Sequence, residues 1–83
     1  MKYIYGLNRS GQSIINYLDK INENYICWDD EEIIRIKLLK KNKNILLIQP
    51  EKLTINNITE AYITPGISLN SPKIKIFKKK NIN

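Results

Sequence analysis

The sequence predicts an α/β domain, with a parallel sheet of four to five strands flanked by helices in one small unit. Three observations carry this. Short β-prone runs alternate with amphipathic stretches of helical spacing, which is the order of a parallel sheet built from crossover connections. The strand candidates are continuously apolar rather than alternating, as expected for strands covered on both faces. The chain has 83 residues, enough for a single domain that buries roughly 60% of its unfolded surface.

The first element is Lys2-Tyr3-Ile4-Tyr5, short, apolar and stopped by Gly6, which predicts a buried strand and a turn. Ser10 is placed to cap the helix that follows. Ile14, Ile15, Leu18 and Ile21 then fall on one helical face. Asn22-Glu23-Asn24 ends that helix. Tyr25-Ile26-Cys27-Trp28 is the second strand candidate, and Asp29-Asp30 supply capping residues for the next helix. From Glu31 to Lys40 the apolar spacing is imperfect. Acids at the start and lysines at the end still suit the helix macrodipole.

Ile45-Leu46-Leu47-Ile48 predicts a third strand, closed by Pro50, and residues 53–58 are ambiguous. Ala61-Tyr62-Ile63-Thr64 predicts a fourth strand ending at Pro65-Gly66. Residues 72–80 read as a short basic helix with Pro in its first turn. Asn81-Ile82-Asn83 would begin a fifth strand.

Composition narrows the function classes. Apolar residues make up 42% of the chain, in distinct runs, so folding is favoured over disorder. The net charge of +6 invites a polyanion partner. Lys, Asn and Ile together account for nearly half the residues, however, and all three have A/T-rich codons. Base composition can therefore supply the lysines. Arginine, the better residue for bidentate phosphate or base contacts, occurs only at positions 9 and 35. A nucleic-acid partner is disfavoured. With one cysteine and no histidine, an internal disulfide, a Cys/His metal site and His-dependent catalysis are excluded. No apolar stretch approaches the length of a membrane span, and a cytoplasmic location is the expectation.

The chemistry-bearing feature is the turn Gly6-Leu7-Asn8-Arg9-Ser10-Gly11. A strand that ends in Gly and enters a helix directly presents unpaired N–H groups to an anion. Gly6 permits a tight turn, and Gly11 permits close approach of the helix. Ser10 can cap or bind phosphate, and Arg9 can add a charge-assisted contact. Asn8 stands where a dinucleotide fingerprint has its second glycine, and Gln12 where a Walker loop has its lysine. The same six residues serve equally as a bare βα turn with a Ser cap. Asp29 follows Gly11 by 18 residues, at the tip of the second strand. There an acid reaches the ribose or base in nucleotide-binding βαβ units, or simply caps a helix. Trp28, Tyr5 and Tyr17 are read as packing residues, and Cys27 as a buried small hydrophobe.

Tyr62-Ile63-Thr64-Pro65-Gly66-Ile67 adds a more specific signal. A strand ending in Thr-Pro-Gly-Ile, after a glycine turn of this kind and a strand ending in Asp, resembles the N-terminal domain of the Mur ligases of peptidoglycan synthesis. The likeness runs from about Tyr3 to Lys80. It implies a Rossmann-like domain over residues 1–83 that binds the UDP part of UDP-N-acetylmuramoyl-L-alanine. Asn8, Arg9, Ser10 and Gly11 would face the diphosphate. Asp29 and Asp30 would face the uracil, and Thr64, Pro65 and Gly66 would floor the uridine pocket. The resemblance places ATP, Mg²⁺ and all catalytic residues in domains absent here, so no cofactor is expected in this one. The chain is then expected to stop before the family's fifth strand, and to be inactive alone. An open sheet edge would invite self-association. The alternatives are the NAD-binding half of a dehydrogenase and a small basic interaction module.

Overall fold

The computed structural model describes residues 1–53 and 58–64. The elements are β1 (Lys2–Tyr5), α1 (Arg9–Lys20), β2 (Tyr25–Trp28), α2 (Glu32–Lys41), a 3₁₀ turn (Pro50–Lys52) and β3 (Glu60–Ile63). The sheet is parallel, in the order β2-β1-β3. Its register sets Tyr5 opposite Trp28 on one side and Ile63 on the other. The strand ends that carry the candidate residues therefore meet along one edge.

β1 is central because its sequence suits no other place. Tyr3, Ile4 and Tyr5 are fully buried, which requires cover on both faces and pairing on both sides. Ile4 packs with Leu7, Ile15, Leu18, Cys27, Leu38 and Ile45 beneath the helices. Tyr3 and Tyr5 pack on the opposite face with Ile58 and Ala61. The two clusters follow from the two-residue period of a strand. Both described helices lie on the Ile4 face, so the sheet is flanked by helices on one side among the described residues.

The expected count of four to five strands is corrected to three among the described residues. The run Ile45–Ile48 lies beside β2 but makes a single parallel bridge, Cys27 with Leu47. Cys27 N–H donates to Leu46 O at 3.0 Å, and Ile48 N–H donates to Cys27 O at 3.1 Å. Neighbouring structure claims both ends of the run. Ile45 N–H turns back to Asn42 O, and the Tyr3 hydroxyl donates to Ile48 O at 2.8 Å. Pro50 then opens the 3₁₀ turn. The expected helix over 72–80 and the fifth strand lie outside the described residues.

Helix ends show what side chains settled locally. The N-cap of α1 is Asn8 rather than Ser10, which sits in the first turn. At the other end Asn22 adopts φ 56°, Asn22 N–H donates to Asp19 O, and Glu23 N–H donates to Leu18 O. That is a Schellman closure with Asn in the left-handed position. α2 is apolar on two sides. Leu38 is buried and Ile34 half-buried, whereas Ile33, Ile36 and Leu39 are exposed. Cys27 is buried in β2, and burial pushes its thiol up to about 12. It is a packing residue, with little thiolate at neutral pH.

Candidate functional site

The turn between β1 and α1 is locked from inside. Gly6 has φ 103°, a conformation L side chains rarely adopt. Its N–H donates to Trp28 O at 2.8 Å. Leu7 is fully buried, and its N–H donates to Asp29 Oδ2 at 2.8 Å. Leu7 O accepts from Gln12 Nε2 at 3.0 Å. Gly11 presses directly on the turn, because a Cβ there would lie 1.9 Å from Gly6 O and 3.6 Å from the Thr64 methyl. The close approach expected of Gly11 is thus to the turn's own backbone and to the end of β3.

Asn8, Arg9 and Ser10 are exposed. The first-turn N–H groups of a helix have no intrahelical acceptor, so this stretch presents donors outward. Asn8 has φ −71° and ψ −163°. The position where a fingerprint carries glycine is extended here, so Asn adopts it without strain.

Asp29 is 5% exposed. One carboxylate oxygen holds Leu7 N–H. The other accepts Glu31 N–H at 2.9 Å, at the entrance to α2. Asp29 therefore ties the first turn to the second, and both its oxygens already have main-chain partners. Asp30 is exposed and faces the sheet edge. It accepts from the Tyr5 hydroxyl at 2.6 Å and from Trp28 Nε1 at 3.1 Å. Burial, then the bond to Asp30, push the Tyr5 phenol up from its usual range. Arg35 donates to Asp29 O at 2.8 Å and Asp30 O at 3.1 Å. Its guanidinium lies 4.3 Å from the Trp28 ring centroid, a cation–π contact.

Thr64 is buried, and its N–H donates to Tyr5 O at 3.0 Å, so it closes the same edge. Pro65 and Gly66 lie outside the described residues. The fold brings together Asn8 to Gly11, Asp29, Asp30 and Thr64, at the ends of three adjacent strands. Sequence reasoning missed the parts played by Tyr5, Trp28 and Arg35. The signal was present in the pairing: strands that end together put Tyr5 beside Trp28, and Arg35 falls one helical turn into α2. Among the described residues, no cluster of His, Cys, Asp and Glu could hold a metal ion, and no helix is long and apolar enough to cross a membrane.

Comparison with known proteins gives the relationship. The chain is 32% identical over 72 residues to UDP-N-acetylmuramoylalanine–D-glutamate ligase of Wolbachia sp. subsp. Brugia malayi (strain TRS), covering 84% of this chain and 14% of that enzyme. It is 32% identical over 66 residues to the enzyme of the same name from Wolbachia pipientis wMel, covering 77% of this chain and 13% of the enzyme. The chain thus spans about one seventh of the length of these relatives. No family model matches it. The motifs that suggested a Mur ligase and the sequence relationship agree: the chain is related to a part of UDP-N-acetylmuramoylalanine–D-glutamate ligase.

Proposed function

We propose that this chain is the uridine-diphosphate-binding part of a cytoplasmic ligase that adds D-glutamate to UDP-N-acetylmuramoyl-L-alanine during peptidoglycan precursor synthesis. The observation that carries the proposal is the internally locked glycine turn, with Asn8, Arg9 and Ser10 exposed at the start of α1, beside an acidic strand tip. Backbone N–H groups from Asn8 to Gly11 receive the diphosphate, with the Arg9 guanidinium and Ser10 hydroxyl adding contacts. Asp30 offers an acceptor for the uracil N–H, held in place by Tyr5 and Trp28. Asp29 contributes from behind, by fixing both the turn and the start of α2. Thr64, at the end of β3, borders the uridine pocket.

A domain of this kind supplies no reacting group. It anchors one end of a long substrate, so that remote binding energy positions a distant carboxylate. The ligation itself, through ATP and an activated acyl group, belongs to parts of the enzyme beyond this chain, and the fragment alone is inactive.

Calorimetric titration tests the proposal. UDP and UDP-N-acetylmuramoyl-L-alanine should bind and raise the melting temperature, whereas NAD and short RNA should not. If saturating UDP-sugar moves neither this chain nor a full-length relative carrying it, the uridine assignment fails. A response to NAD would instead mark a dehydrogenase half, and salt-sensitive RNA binding a basic interaction module.

A further inference from the structure

A second feature lies beside the turn, on its α2 side. A cleft of about 410 Å³ opens between the first turn of α1 and the flank of α2. Leu7, Ile34 and Leu38 form its inner wall, and Lys37, Lys40 and Lys41 border it. The wall is apolar and at least half-buried, while the lysines are exposed. Among the described residues the ion pair is Lys2 with Glu60, and none of the three lysines has a carboxylate partner.

That arrangement concentrates positive charge beside the cleft. Like charges one turn apart on a helix repel, and α2 places Lys37, Lys40 and Lys41 three and four residues apart. Only Glu32 offsets them and Arg35 within the helix, and Arg35 is committed to the Asp29–Asp30 corner. A cleft with an apolar wall and a rim of unpaired ammonium groups suits an organic phosphate. Its phosphates meet the lysines, and the uncharged atoms next to them lie against Leu7, Ile34 and Leu38.

We propose that this cleft is a second wall of the phosphate site. A diphosphate received at the glycine turn is held from the α2 side by Lys37 and Lys41, with Lys40 at the margin. The uridine identity of the ligand rests on the function proposed above. The phosphate subsite itself rests on the cleft and its cations.

The test uses the full chain and the variant Lys37→Met/Lys41→Met, which keeps the apolar stems and removes two charges. Lys20→Met/Lys43→Met is the control, with the same loss of net charge at exposed positions outside the cleft. The probes are UDP, uridine and inorganic pyrophosphate, by calorimetry and amide chemical-shift titration at low and moderate salt. UDP affinity should fall about ten- to a hundredfold in the cleft variant, on the scale of one or two charge-assisted bonds. Uridine affinity should stay within twofold, and pyrophosphate should shift amides at Leu38 and Lys41. Equal UDP affinity in wild type and cleft variant overturns the cleft assignment and leaves the uridine reading standing. An equal loss in the control also overturns it, as a general charge effect. Pyrophosphate binding that depends on Lys37 and Lys41, without any UDP response, supports the cleft and removes the uridine reading.

Discussion

The two βα corners of this molecule are built by opposite means. The first, from β1 into α1, is held mainly by backbone: Gly6 at positive φ, Gly11 against Gly6 O and Gly6 N–H on Trp28 O, with the Asp29 carboxylate and the Gln12 amide bonded to Leu7. The second, from β2 into α2, is held by side chains: Asp30 between Tyr5 and Trp28, with Arg35 stacked on Trp28 and bonded to two carbonyls. A backbone lock has no room to adjust, because its contacts are between atoms that cannot rotate away. A side-chain lock can repack or admit water. The first corner is thus suited to present fixed N–H donors to a diphosphate. The second is suited to offer an acidic group that shifts slightly to meet a base.

Substitutions probe that contrast, beginning with the largest effect. Gly11→Ala forces a Cβ into Gly6 O, and the helix must move. It should cost about 3 kcal/mol or more, enough to unfold much of a small domain. Urea denaturation followed by circular dichroism measures it. A near-native midpoint would show that the first corner is not rigid.

Asp29→Ala comes next. It strands Leu7 N–H in the interior and releases Glu31 N–H at the entrance to α2, for about 2–3 kcal/mol. Asp29→Asn keeps one acceptor oxygen and should lose less. If Asp29→Ala weakens uridine binding with stability intact, then Asp29 touches ligand directly and the two corners are not tied through it.

Arg35→Met should cost only about 1 kcal/mol, since the guanidinium is partly solvated and its cation–π contact modest. A double-mutant cycle with Trp28→Phe would isolate their coupling. Coupling larger than the Asp29→Ala loss would reverse the ranking of the corners.

The smallest effect is expected at Asn8→Gly. Asn8 has ordinary extended backbone and no side-chain cap bond, so glycine relieves no strain. Stability should change by a few tenths of a kcal/mol, as read from the thermal midpoint.

Much of this was legible in the sequence, for identifiable reasons. β1, β2 and β3 fall within a residue of the expected runs, because three or four consecutive apolar residues next to a turn signal have few other uses. α1 and α2 were legible from their spacing and end charges. The run at 45–48 was less so. Its residues are strand-like, but whether it pairs depends on Asn42 and Tyr3, which reach it from elsewhere. The candidate site divides in the same way. Asn8, Arg9, Ser10 and Gly11 were visible from glycine spacing. The link from Asp29 to Leu7 spans 22 residues and leaves no local trace.

By itself, the sequence determined the parallel α/β order, the place of the glycine turn and the family relationship, since each depends on local pattern or on identity of residues. Tertiary structure alone decided which acid does what. Asp29 and Asp30 are chemically alike and adjacent, and only the pairing of β1 with β2 sends one inward to two backbone N–H groups. The same pairing leaves the other at the edge between Tyr5 and Trp28. Successive side chains at a strand end face opposite ways, and which way meets a donor is a property of the neighbours.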